Sequence, residues 1–335
     1  MNAGRSKGVT TLDVKDKNST TVLLALKKRE SSTARVIAQD TSLSSVTVNG
    51  ILKELMGKGW VKEGEMSPSR GGRPSRIYEY NRLHRLGLLV ITREIKGIDT
   101  LCLRVIDMYG AVIQSINHGN SVITASFIEQ CIEEMISGHP QIAAIAMGIP
   151  GIEQKGTIVA MDYKELVGFP VVERLYERFT LPVIVENDVN ASVMGILEED
   201  DFDKTLLYIY FPQKYPPGAG ICVNGRLLKG GRHFAGEVGW LPLNISWGQE
   251  LWERECDLTK AAAEVIQSLT AVLDPDRIVL YGELIDRDRL QNIEKEVGEA
   301  FSDRTSPLME LSDNFNADFE SGLSSLLIGT MEKEL

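Results

Sequence analysis

A short apolar run, "VIVEND" (183–188), ends in three polar residues, Glu186, Asn187 and Asp188, and leads into a segment of helical character. Two kinds of chemistry suit an aspartate at that position. A carboxylate at the tip of a buried strand acts as a general base when it lies within hydrogen-bond reach of the proton it removes. The same side chain ahead of "VNAS" suits a helix N-cap, accepting from backbone N–H groups of the first turn. The two roles are compatible, and the segment alone leaves both open. Two other loops are placed to join it: "GIPG" (148–151), which ends another apolar run, and "FAGEVG" (234–239), which follows a hairpin and contributes Glu237.

The elements that must position these loops alternate in type from Leu83 onward. "LGLLVIT" and "TLCLRVIDMYGAVI" read as strands, the second turning at Tyr109-Gly110. "TASFIEQCIEEMISG", "PVVERLYERF" and "LTKAAAEVIQSLTAVLD" read as helices, and "IAAIAMGIPG", "LPVIVEND", "DKTLLYIYF" and "RIVLYG" as strands. "AGICVNGRLLKGG" reads as a hairpin, with Asn-Gly at its turn. Such alternation implies an α/β body of layered sheets and helices, in which ligands collect where strands end in loops.

At 335 residues the chain has room for two or three domains. No run of 18 apolar residues marks a membrane span, and the first twenty residues lack the apolar stretch of a secretory signal. Cys102, Cys131, Cys222 and Cys256 share no disulfide or metal spacing, so a reduced, cytoplasmic protein is expected. The net charge of −11 conceals a division: residues 1–85 hold 16 Lys and Arg against 8 Asp and Glu, and the remainder holds 20 against 39. A basic module that attracts nucleic acid is thereby joined to an acidic body that repels it.

The basic module carries a motif. Residues 1–18 are polar and aperiodic and are expected to be a flexible tail. A first helix follows, capped by Ser19 or Thr20, with Val22, Leu23 and Leu26 on one face. "STARVIAQD" is a second, with Ala34, Ile37 and Ala38 inward. In the third, after a Ser44 cap, Val48, Ile51, Leu52 and Leu55 form one stripe, and Gly57 or Gly59 ends it. This is the helix-turn-helix pattern, whose second helix enters the major groove. Ser44, Ser45, Thr47 and Asn49, with Lys53 one turn on, are the side chains it offers to phosphates and base edges. Gly50 weakens the helix by about 1 kcal/mol and permits close backbone approach. Two short alternating runs, "WVKEGE" and "RIYEYN", flank "MSPSRGGRPS", and Arg70, Arg73 and Arg76 there suit a wing that enters a minor groove. Residues 19–82 are therefore expected to be a winged helix-turn-helix DNA-binding domain.

Taken in order, the winged helix, "GIPG", "END", "FAGEVG" and "GGRP" resemble the ROK family of bacterial repressors, open reading frames and sugar kinases, over roughly residues 19–335. The layout is most similar to the family's xylose- and N-acetylglucosamine-type repressors, since its kinases lack the winged helix. The resemblance implies an actin- and hexokinase-like body of two α/β lobes around a cleft, over residues 83–335. It also implies that Asn187, Asp188 and Glu237 hold sugar hydroxyls, and that Asp188 stands where the kinases keep their catalytic base. Carboxylates with an amide do supply the acceptors and donors that vicinal hydroxyls require.

The sequence departs from the family where nucleotide and metal would bind. The first phosphate hairpin, Asp-x-Gly-Gly-Thr in the family, is "LVITREIKGIDT" here, without paired glycines and with Glu94 to repel phosphate. The second, a Gly-Thr-Gly-x-Gly run, is "YFPQKYPPGAG", in which Pro212, Pro216 and Pro217 remove backbone donors while Gly218 and Gly220 remain. The later Gly-Gly is "LYGELI", with Glu283 as the second residue. The family's zinc-binding "GH" and cysteine loop become Gly239-Trp240 and a segment whose one cysteine is Cys256, so neither zinc nor ATP is expected as a cofactor. Trp240 and Trp247 either stack on a sugar face or fill the space of the lost zinc loop, and Glu250 or Glu253 stands near the family's later sugar-binding Glu. The expected protein is a non-enzymatic repressor of carbohydrate genes, a homodimer or tetramer that binds operator DNA and senses a sugar or sugar derivative. A sugar kinase with residual activity, and a repressor whose body binds a protein partner, are the alternatives.

Overall fold

The computed structural model describes residues 11–66, 75–119, 122–161, 163–198, 201–213, 215–245, 247, 258–301 and 306–333. The chain forms two compact units. The first takes the described residues up to Leu86 together with Asp107–Tyr109 and those from Met331; the second holds Gly87–Ile106 and Gly110–Thr330.

In the first unit three helices, α1 (Thr11–Arg29), α2 (Ala34–Thr41) and α3 (Ser45–Gly57), pack Val22, Leu26, Ile37, Val48 and Leu52 into one core. Strands β1 (Ser31–Thr33), β2 (Val61–Met66) and β3 (Arg76–Tyr80) make an antiparallel sheet in the order β1-β3-β2. Ser44 caps α3, its hydroxyl accepting from the Thr47 N–H at 3.1 Å. Distant chain completes the unit: the Met108 N–H donates to the Arg82 carbonyl, and Lys27 pairs with Glu332 at 2.6 Å.

Two expectations are corrected here. The first helix begins at Thr11, so the part of the supposed tail from Thr11 to Asn18 is helical and neither Ser19 nor Thr20 is a cap. The hydroxyl of Thr20 instead donates back to the Asp16 carbonyl. The polar stretch 11–18 has no apolar stripe, yet it contains no glycine or proline to end a helix. The second helix begins at Ala34 rather than Ser32, because Ser31–Thr33 pair in register with Ile77–Glu79.

The second unit repeats one plan twice. Strands β4 (Leu86–Ile95), β5 (Ile98–Ile106) and β6 (Val112–Gly119) form an antiparallel meander. Helix α4 (Ala125–Gly138) then leads to β7 (Ile142–Ile149). A small hairpin, β8 (Gly151–Gln154) and β9 (Thr157–Met161), and helix α5 (Val171–Phe179) lead to β10 (Val183–Asn187). The resulting order is β10-β7-β4-β5-β6, with β10 parallel to β7. After helix α6 (Asp188–Gly195), β11 (Thr205–Tyr210), β12 (Gly218–Val223) and β13 (Arg226–Leu227) make the second meander. Helix α7 (Leu258–Leu273), β14 (Arg277–Tyr281), helix α8 (Arg287–Ala300) and β15 (Leu308–Leu311) complete the order β13-β12-β11-β14-β15, with β14 parallel to both β11 and β15. The expected hairpin turn is present: Asn224 and Gly225 both have positive φ, as a two-residue turn requires. No helix among the described residues is long and apolar enough to cross a membrane.

The last helix, α9 (Phe315–Glu332), crosses α6 where both carry glycine. A Cβ on Gly322 would lie 1.7 Å from the Ala191 carbonyl oxygen, and one on Gly195 would lie 1.9 Å from that of Asp318. The two backbones are therefore in contact, and neither position admits a side chain without separating the helices. Gly322→Ala is expected to destabilise the chain by about 3 kcal/mol through this overpacking, read as a lower midpoint of denaturant unfolding.

Candidate functional site

The parallel pairs β7/β10 and β11/β14 end at one cleft of about 900 Å³ in the second unit. In the first sheet Asn187 at the end of β10 lies beside Ile149 of β7; in the second, Tyr210 of β11 lies beside Tyr281 of β14. Loops diverge at the carboxyl ends of such strands and leave a crevice for ligand. Asn187, Asp188 and Glu237, the three residues singled out in the sequence, all line it.

The helix cap differs from expectation. The cap of α6 is Asn187, not Asp188: the Asn187 Oδ1 accepts from the N–H groups of Val189 (2.9 Å) and Asn190 (3.1 Å). Its Nδ2 donates to the Gly151 carbonyl at 3.1 Å, tying "END" to "GIPG". An amide so engaged keeps one N–H for a ligand. Asp188 is the first helical residue; its Oδ1 accepts from the Val189 N–H, and its charge sits at the positive end of the helix dipole. Behind both, the buried Glu186 pairs with Lys229 at 2.5 Å and accepts from the Asn190 side chain at 3.2 Å.

Glu237 is held by the loop before it. Gly236 has φ +93°, and a Cβ there would lie 1.8 Å from the Ala219 carbonyl oxygen, so the loop lies directly on β12. The Glu237 side chain has no hydrogen-bond or ion-pair partner among the described residues, and burial raises its pKa. Sequence reading missed Lys229, His233 and Glu153. His233 Nδ1 lies 3.0 Å from a Glu153 carboxylate oxygen, and both line the cleft. The one signal for His233 was its place four residues before Glu237.

On the side where the family resemblance places phosphates, the cleft is lined by acids and aromatic rings. Glu94 and Asp99 face each other across the tight turn at Lys96-Gly97. Glu283 accepts from the Tyr210 hydroxyl (3.0 Å) and the Gln213 N–H (3.2 Å), closing the proline-bearing loop. Phe315 stacks on Tyr210 and Tyr281 at ring separations of 4.5 and 5.4 Å. The lysine and arginine among the described lining residues, Lys229 and Arg93, each have a carboxylate partner, Glu186 and Glu320.

The two tryptophans divide the roles left open between them. Trp247 packs beside Phe211 against the core, whereas Trp240 is 78% exposed at the cleft, with Phe234 nearby. Trp240 follows Gly239, where the resemblance places a zinc-binding histidine, and among the described residues no three His, Cys, Asp or Glu converge on a metal position. Glu250, Glu253 and Cys256 lie outside the described residues.

In the first unit, Ser44, Ser45, Thr47, Asn49 and Lys53 are all exposed on α3. Ser44 and Thr47 share a hydroxyl hydrogen bond of 2.8 Å, and the Asn49 Nδ2 donates to the Ser45 carbonyl at 2.7 Å. Arg76 is not in the loop: it opens β3 and pairs with Glu63 across the sheet at 2.8 Å. Arg70 and Arg73 lie outside the described residues.

The raised pKa of Glu237 has a signed consequence. The folded chain binds this proton more tightly than the unfolded chain, so the stabilisation is complete at low pH and is lost as pH rises through the folded pKa. Glu237→Gln is therefore expected to raise the unfolding temperature at pH 7, and this gain should vanish as pH falls toward the ordinary carboxyl value of 4.5. A scan of unfolding temperature against pH for both proteins checks it.

Comparison with known proteins agrees with this geometry. The chain is 27% identical over 221 residues to a xylose repressor of Caldicellulosiruptor bescii, an alignment that covers 62% of this chain and 54% of the repressor. The chain thus spans about half the length of that relative. It is 29% identical over 130 residues to a glucokinase of Halalkalibacterium halodurans, covering 36% of this chain and 38% of the enzyme. Its fold matches the crystal structure of a ROK family transcriptional regulator described as a homolog of the E. coli MLC protein, with a TM-score of 0.65 at 16% identity over 96% of this chain and 98% of that one. The model of the ROK family itself matches residues 97–257, just under half of the chain, and the chain has an α/β, ROK kinase-like fold.

Proposed function

We propose that the chain is a DNA-binding transcriptional regulator of carbohydrate genes, a repressor, whose kinase-like body senses a sugar or sugar derivative without phosphorylating it. The observation that carries this reading is the joining of two features in one chain. A basic unit presents an exposed, capped helix, and an α/β cleft gathers Asn187, Asp188 and Glu237 with Glu94, Asp99 and Glu283, the last three where the family resemblance puts phosphates. Three helices and a three-stranded antiparallel sheet, two of whose strands follow the third helix, support a winged helix-turn-helix for the first unit. The xylose repressor among its relatives supports the same role.

In the cleft, Asp188 and Glu237 accept from sugar hydroxyls and the remaining Asn187 N–H donates. Trp240 offers an aromatic face to the ring's C–H surface. Phosphoryl transfer depends on cations and backbone donors around the phosphates. Glu94, Asp99 and Glu283 oppose that charge, so the favoured ligand is an unphosphorylated sugar and Asp188 is left as a binding group. The regulator acts in the cytoplasm as a homodimer or larger assembly on a palindromic operator, the symmetry of the site matching that of the protein. Sugar alters DNA affinity to the extent that it binds the two states of the body unequally. The glucokinase relative favours a second reading, a sugar kinase carrying a DNA module.

The test begins with duplexes enriched from a random pool by the full chain, followed by titration with and without xylose, glucose, N-acetylglucosamine and their phosphates. A neutral sugar is expected to change duplex affinity about tenfold, within the usual range of allosteric coupling. It should quench the fluorescence of the wild type but not of Trp240→Phe. Asp188→Ala and Glu237→Ala should retain duplex binding and lose the sugar response; intact regulation in both would favour a protein partner. With ATP and sugar no ADP should form. ADP formation abolished by Asp188→Asn would establish the kinase reading.

A further inference from the structure

Helix α3 buries Val48, Ile51, Leu52 and Leu55 along one side. At 3.6 residues per turn the opposite side is the line of Val46, Asn49, Gly50 and Lys53. Val46 is 83% exposed. One bare valine on a protein surface is ordinary, but its neighbours set this one apart. One turn on, a Cβ placed on Gly50 would meet nothing within 4 Å. No packing within the described chain requires that glycine, and both residues are poor choices for an exposed helix: glycine for its backbone freedom, valine for its stiff branched side chain. Two of the polar contacts beside them are made within the helix, the Ser44–Thr47 hydroxyl bond and the bond from the Asn49 amide to the Ser45 carbonyl. The face therefore offers one apolar projection, one gap beside the backbone and the ammonium of Lys53, on a segment where cations outnumber anions 16 to 8.

We infer that Val46 is a base-reading residue that packs on the 5-methyl group of a thymine, with Gly50 admitting the duplex close to the helix backbone. The inference rests on the DNA-binding reading above and adds to it which base is read and by what. The thymine methyl is the apolar group on the major-groove edge of a base pair, and the N-terminal residues of a recognition helix are those that reach base edges. A valine in the first turn matches that target in polarity and size. Lys53, further along the same face, meets the phosphates and holds the register.

The experiment uses the full chain and a duplex enriched from a random pool. Each thymine is replaced singly by deoxyuridine, which keeps every hydrogen-bonding group and lacks only the methyl. At one position per half-site the wild type should bind about fourfold more weakly, the loss of one buried methyl contact. Val46→Ala, at an exposed position, should fold normally and bind the thymine and uracil duplexes there alike. Gly50→Ala should raise the unfolding temperature by a few degrees yet weaken duplex binding by about tenfold, a combination that a purely structural glycine would not produce. A flat deoxyuridine series with the wild type, or Gly50→Ala binding at wild-type affinity, overturns the inference and leaves the DNA-binding reading intact. A pool that yields no enriched duplex overturns both.

Discussion

Helices α6 and α9 touch backbone to backbone at Gly195 and Gly322, and the cleft takes its dimensions from that contact. The first turn of α6 presents Asp188 behind the Asn187 cap, and the first turn of α9 presents Phe315 and Asn316. Two further contacts fix α9 in place. Phe319 lies over Gly148 of β7, where a Cβ would come within 2.4 Å of its ring, and Asp318 accepts from the Tyr208 hydroxyl at 3.0 Å. Close-packed interiors transmit strain rather than absorb it. The position of Asp188 on one helix and of the aromatic stack on the other is thus set by one pair of glycines.

The second constraint is the sign of charge. A site for transferring phosphate needs fixed cations and free backbone N–H groups. In this cleft Arg93 is held by Glu320 and Asn316, and Lys229 is held by Glu186. Glu283, at the glycine position of the family pattern, takes the Gln213 N–H for itself. The Glu94–Asp99 pair across the Lys96-Gly97 turn adds like charges where the resemblance places phosphates. The ion pairs and hydrogen bonds that hold these side chains in place thus also leave the described lining with fewer uncommitted cations and backbone donors.

Much of this was legible in the sequence, for identifiable reasons. The buried stripes of α2 and α3 follow from apolar spacing, and the Asn224-Gly225 turn from residues that tolerate positive φ. The loops "GIPG", "END" and "FAGEVG" announced themselves as strand ends and do meet at one cleft. What failed was whatever depends on choosing between near-equivalent partners. Asn187 and Asp188 are both good caps, and only the chain path decides which oxygen faces the first turn. The start of α1 carried no apolar period because helix can propagate through polar residues once nucleated further along. Strand β1 was unreadable because three serine and threonine residues acquire strand character only from β3 beside them. Lys229 and His233 stand just before "FAGEVG" and Glu153 just after "GIPG", and the path of those loops, which residue spacing does not encode, brings their side chains to the cleft.

The hydrogen bonds that Ser44, Thr47 and Asn49 make within α3 bear on how the first unit would behave toward ligands in general. A surface of unsatisfied donors grips any acceptor, whereas one whose donors are already engaged exchanges one bond for another with little net gain. Ser44, Thr47 and Asn49 each have one polar group engaged in this way. Groups of this kind gain little from a new acceptor, so contact alone does not hold a ligand there.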